Sequence, residues 1–277
     1  MRANRYVVAI VGAALAVSFA LPGVASAQDE KWRDAFNAYQ QGNMQQAETL
    51  FREVCAEYED AGVPWGWCHL MLGATLAQRG ASKRQEALAQ LEIAKDLVTE
   101  DQQRFQVNST IAQIHLLDER WAQAISAADE SAQYASGDGL VAVAKTKGQA
   151  YYQQQQWQQA ANELEKAVAG RSGEANLHAW LGRSYFELGR KDEALEELNT
   201  AAQIDRSNRI GLYFAARIYL DNQNYTQAVA MAERAIQAFP QDYNIRNLLG
   251  MAYLGTERYA DAAKIRPSGM RDRSSSR

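Results

Sequence analysis

Between Ala175 and Pro240 one set of small and apolar residues returns at a fixed interval, and this recurrence constrains the fold more than any other feature. Leu181-Gly182, Tyr185, Gly189, Ala194, Leu198 and Ala201 follow one another at helical spacing. Thirty-four residues later come Ala215-Ala216, Tyr219, Gln223, Ala228, Ala232 and Ala235, and then Pro240. A further step brings Leu249-Gly250, Tyr253, Glu257 and Ala262, and one step back stand Gly148, Tyr151, Trp157, Ala160, Leu164 and Ala167. A constant period of this length marks stacked supersecondary units, each of which leaves an apolar face that only its neighbour can cover.

These residues resemble the tetratricopeptide repeat, a helix–turn–helix unit with Leu-Gly, Tyr, Ala, a large apolar residue, Ala and Pro at set positions. Gly182 and Gly148 on the first helix, and Ala160, Ala194 and Ala228 on the second, would let the two helices approach closely. Tyr151, Tyr185, Tyr219 and Leu198 would fill the space between them. Earlier units are more divergent. One contains Ile111-Ala112, His115, Trp121, Ala124, Ala128 and Ser131. Another contains Leu72-Gly73, Leu76, Ala87, Leu91 and Ala94, with two extra residues in the turn from Gly80 to Glu86. The first contains Ala35, Tyr39, Gly42, Met44, Ala47, Phe51 and Val54. The resemblance therefore implies an all-α, right-handed α-solenoid of about seven units, starting near 28, 66, 105, 141, 175, 209 and 243. Gly62 with Pro64, Gly137-Asp138-Gly139, and Ser172-Gly173 mark the linkers. The solenoid is expected over 28–265.

The segment 1–27 reads as a secretory signal peptide. Arg2 and Arg5 precede an apolar run from Tyr6 to Leu21, Pro22 and Gly23 break it, and Ala25-Ser26-Ala27 supplies a small-residue cleavage pattern. The run is shorter than the roughly 20 residues that cross a bilayer, which favours removal over anchoring. No membrane span is expected after cleavage, and a periplasmic or secreted location follows. The formal net charge of −4 becomes −6 when Arg2 and Arg5 leave. A mildly acidic chain without a basic block is no general nucleic-acid binder. An oxidising compartment would let Cys55 and Cys68 pair as a disulfide, although two separate buried thiols fit the spacing too. The seventh unit breaks off before Pro267, and 266–277 reads either as a disordered end or as a sign of truncation. Without a capping helix, its apolar edge would favour self-association.

Catalysis has little support. His69, His115 and His178 fall in separate units, and no metalloprotease, nucleophile-elbow or phosphate-loop motif occurs. His115 stands in the tyrosine slot, so it reads as packing rather than as a base. Cys55, Cys68 and His69 lack a fourth ligand at suitable spacing, so no metal site is expected, and no cofactor. The glutamines between Gln153 and Gln159 read as exposed spacers around Trp157, an inter-helix plug.

Binding has the better case, and it rests on the resemblance. In such repeats the first helix of each pair lines the inner face, along which peptides or helices lie. The groove-facing positions here include Gln113, Lys145, Gln149, Tyr152, Arg183, Tyr213 and Arg217. Arg183 and Arg217 occupy one column, and guanidinium geometry suits a carboxylate or an acidic segment. The Lys–Asn clamp that some relatives use for a C-terminal carboxylate is missing, because Lys145 and Gln149 are followed by Ala179 and Arg183. The expected role is an exported interaction scaffold in an envelope-associated assembly, with a protein or peptide partner. The rival reading is a carbohydrate- or peptidoglycan-associated factor that binds through Trp32, Trp65 and Trp67.

Overall fold

A computed structural model describes residues 27–63 and 65–265. The proposed leader lies outside the described residues except for Ala27, and so does the tail 266–277. The described chain contains fourteen α-helices and no strand. In order they are α1 (Ala27–Gln40), α2 (Met44–Asp60), α3 (Gly66–Gln78), α4 (Arg84–Leu97), α5 (Asp101–Leu117), α6 (Trp121–Ala132) and α7 (Asp138–Gln153). There follow α8 (Trp157–Gly170), α9 (Ala175–Glu187), α10 (Lys191–Ile204), α11 (Arg209–Asp221), α12 (Tyr225–Ala238), α13 (Tyr243–Gly255) and α14 (Tyr259–Ile265). The extra residues of the Gly80–Glu86 turn form a short 3₁₀ turn, Ala81–Lys83. Within each of two compact units, consecutive helices pack on one another, the all-α solenoid architecture anticipated from the period.

The chain divides into two compact units, residues 1–150 and 151–277. In the first, α1 to α6 pack each against the next, and α3 also meets α5. Its core runs from Ala35 and Phe51 through Leu70, Met71 and Leu91 to Ile114 and Ala128. In the second, α8 to α14 pack in the same sequential way, and the first helices α9, α11 and α13 touch one another in turn. That is the contact set a stack of helix pairs requires.

Local chemistry explains the recurring elements. At Gly182 an added Cβ would lie 2.7 Å from Leu198 Cγ and 3.0 Å from the Ala194 carbonyl, so the slot accepts only a hydrogen. Gly73 meets Leu91 Cγ at 2.7 Å in the second pair. Two first helices are capped in register. Asn208 accepts from Gly211 N at 2.8 Å, and Asp242 accepts from Asn244 N at 2.9 Å. The turn inside a pair needs one left-handed residue. Gly42 and Gly189 fill it at φ 77° and 79°, whereas Glu119, Gln155, Gln223 and Glu257 adopt it at 58° to 60°.

Candidate functional site

In the second unit, Arg183 on α9 is surrounded by aromatic rings. Its guanidinium carbon lies 5.3 Å from the centroids of Tyr152 and Trp157 and 5.2 Å from that of Phe214. Nη1 donates to the Tyr152 hydroxyl at 2.9 Å, and Nε lies 3.7 Å from Glu187 one turn along the helix. Trp180 completes the wall, 6.0 Å from Tyr152. Cation–π contacts with several rings hold the arginine in one orientation. Tyr152 is buried, so it supports Arg183 rather than facing solvent. Burial raises the pKa of its hydroxyl, and the Arg183 charge works against that.

Arg217 on α11, in the same column, is exposed. It lies 5.0 Å over the Phe186 ring, and among the described residues no carboxylate stands within ion-pairing distance. Tyr213 is half-buried and meets Phe214 edge-on at 5.1 Å. Phe186 in turn meets Phe214 at 5.2 Å, so the two arginines share one aromatic floor. The pattern of first-helix arginines pointed to the column. The floor of Trp180, Phe186 and Phe214 went unrecognised, because their register on α9 and α11 reads equally well as core.

Gln113, Lys145 and Gln149 belong to the first unit and are half-buried. Gln113 lines a small hollow with Ser109, Ala112, Val143 and Thr146. The three tryptophans of the rival reading do not form an exposed platform. Trp67 is buried, while Trp32 and Trp65 meet each other at 4.6 Å with tilted planes, and Trp32 meets Phe51 edge-on at 5.3 Å and Trp65 meets Tyr58 at 4.9 Å, against the core.

The histidines are tied into packing. His178 links α9 to α10 through Glu197 at 2.5 Å and reaches the Ser172 carbonyl at 2.8 Å. His115 is half-buried, and burial, with help from Arg120, lowers its pKa. Cys55 and Cys68 are disulfide-bonded, with Cα atoms 5.4 Å apart, and join α2 to α3. Among the described residues no helix is long and apolar enough to cross a membrane.

Helix pairs stacked in register around small-residue contacts define an α-solenoid repeat protein. The tetratricopeptide repeat model matches residues 145–209 and 214–265 of this chain. Comparison with curated proteins gives no match. Among solved structures it is similar to PilF of Pseudomonas aeruginosa, at 16% identity and a TM-score of 0.66, over 80% of this chain and 96% of that one. It also resembles YrrB, described as a TPR protein with an unusual peptide-binding site, at 18% identity and a TM-score of 0.57, over 70% and 95%. MamA aligns at 20% identity and a TM-score of 0.52, over 58% and 87%. At these identities the likeness concerns the fold. The fold is that of a scaffold for protein–protein interaction.

Proposed function

We propose that this chain is an exported scaffold that holds an extended, carboxylate-bearing peptide segment within an envelope-associated assembly. The observation that carries the reading is Arg217, an exposed cation held over Phe186 with no carboxylate at ion-pairing distance among the described residues. Arg183, fixed by its rings and by the Tyr152 hydroxyl, supplies a second positive charge one unit away. Side chains so placed bind a carboxylate with little loss of conformational freedom. YrrB, described as having a peptide-binding site, shares the fold and supports this use of it. The leader pattern ending at Ala27 supports export to the periplasm or beyond. Nothing in the site calls for catalysis. Exposed Met251, Leu254 and Tyr259 on α13 and α14 offer an apolar edge for self-association, which sedimentation would detect.

The test is fluorescence anisotropy with extended peptides that carry either acidic or amidated side chains. Acidic peptides should bind preferentially and weaken with salt, and Arg217→Ala should cost about tenfold in Kd. Equal binding of both peptide sets, or no change in the variant, would remove the groove from this role. N-terminal sequencing of the exported protein should begin at Gln28, and an intact leader would remove the export reading.

A further inference from the structure

Two successive first helices of the second unit carry the same pair of side chains in the same register. On α9, half-buried Trp180 precedes Arg183 by three residues, and on α11 half-buried Tyr213 precedes Arg217 by four. Each arginine therefore has an aromatic ring one helical turn before it. On α13 the corresponding places hold Asn247 and Met251, so the ladder has two cation–aromatic rungs and stops. Among the described residues neither arginine holds a carboxylate at hydrogen-bond distance. Arg183 gives Nη1 to the Tyr152 hydroxyl and comes no closer than 3.7 Å to Glu187, while Arg217 lies over Phe186.

The separation of the rungs restricts what can bridge them. The helices α9 and α11 pack directly on each other, and helices in contact lie about 8–10 Å apart. Equivalent side chains one unit apart are offset by about that distance. A polyproline II segment returns a side chain to the same face every third residue, an advance of about 9 Å. A β-strand does so at about 7 Å and again at about 13 Å, and misses on both sides. An α-helix matches with side chains seven residues apart, but it is a body about 10–12 Å across. The guanidinium carbons are folded down to 5.0–5.3 Å from ring centroids, so a ligand carboxylate must come close to the aromatic floor. A slim extended chain does that more readily than a helix. Half-exposed aromatic rings along a groove are also the surface against which proline-rich segments dock.

We propose, resting on the carboxylate-binding role above, that the ligand is a proline-rich polyproline II segment with two carboxylates three residues apart. One carboxylate pairs with Arg183 and the other with Arg217, and the residues between them pack beside Trp180 and Tyr213. Such a segment is ordered before it binds and gives up little conformational freedom, which suits a shallow site. A third carboxylate one step further along would meet Met251, which offers it no charge.

The experiment is fluorescence anisotropy with labelled proline-rich peptides of equal length, carrying two aspartates two, three, four or seven residues apart, and an asparagine set as control. The three-residue spacing should bind about tenfold more tightly than spacings of two or four. A third aspartate at the next three-residue step should add nothing. Arg217→Ala should bring the three-residue peptide down to the level of the others, and Glu187→Gln, which releases Arg183, should tighten it about threefold. Both positions are exposed, and circular dichroism should show unchanged helical content in each variant. Affinity that ignores spacing but is lost in the asparagine set would overturn the ladder and leave the carboxylate-binding role standing. A maximum at seven residues, with helix induced in the peptide, would overturn the polyproline II conformation. Equal binding of aspartate and asparagine peptides, or no binding by either, would overturn both the ladder and the role beneath it.

Discussion

The Tyr253 hydroxyl donates a 2.7 Å hydrogen bond to Oε1 of Glu233, and two units earlier Tyr185 donates one of 2.8 Å to Glu165. An arginine from the following turn lies over each ring. Arg258 is 4.3 Å from the Tyr253 centroid and 3.3 Å from Glu233, while Arg190 is 4.0 Å from Tyr185 and 3.9 Å from Glu165. In the unit between, Tyr219 instead accepts from Asn199 at 3.0 Å, and the arginine slot holds Asn224. Acid and base are thus replaced together, and each joint between pairs stays electrically matched.

These tyrosines should titrate late. Burial, then the hydrogen bond to Glu233, pushes Tyr253 up to about 12, and the same two causes raise Tyr185 further. Burial also takes Tyr39 to about 12, against the Gln78 hydrogen bond. Because the folded values exceed the ordinary 10.0, their stabilising effect is complete below pH 10 and fades as pH rises through about 12. Absorbance at 295 nm followed alongside far-UV circular dichroism should show the last tyrosinates forming as helix is lost. Tyr253→Phe should remove one of that late class.

Glu48 should govern acid stability of the first unit. Burial raises its pKa, but hydrogen bonds from Arg52 and Arg79 outweigh that and hold it at about 2. The folded value lies below the ordinary 4.5, so the stabilisation is present above pH 4.5 and is lost as pH falls through about 2. Glu48→Gln should cost about 1–3 kcal/mol at neutral pH and flatten the acid limb, measured by urea unfolding across pH.

Gly182 and Gly250 occupy one register position in different surroundings. Gly182→Ala drives a Cβ into Leu198 and the Ala194 carbonyl and should cost roughly 1–3 kcal/mol. Gly250 has nothing within 4 Å, so Gly250→Ala should stabilise by about 0.5–1 kcal/mol through helix propensity. Thermal unfolding of the two variants checks the contrast.

The non-glycine turn residues carry strain that Gly189 avoids. Gln223 and Glu257 sit at φ 58° and 60°. Gln223→Gly or Glu257→Gly should each raise stability by about 0.5–1 kcal/mol, the relief at positive φ outweighing the added unfolded-state freedom. Denaturant midpoints of the single and double variants measure it.

The fixed period made the helix pairs from α9 to α14 legible, because small residues at close contacts leave a mark in sequence. The arginine column was legible for the same reason. Long-range polar partners were not. Nothing around Glu48 announces that Arg52, Arg79 and Lys83 converge on it, since Arg79 and Lys83 come from the next pair. Glu59 likewise joins His69 only once α2 and α3 are packed. The helices α5 and α7 begin at Asp101 and Asp138, ahead of the starts expected near 105 and 141, because an aspartate opens each first turn.

The alternation between charged and neutral joints limits how such a gene can shorten. Excising one unit in register would set Glu165 against Tyr219 and Asn224, a carboxylate without its arginine. Excising two would bring Glu165 to Tyr253 and Arg258 and rebuild the original joint. Recombination between these repeats should therefore leave functional products more readily in even steps than in odd ones.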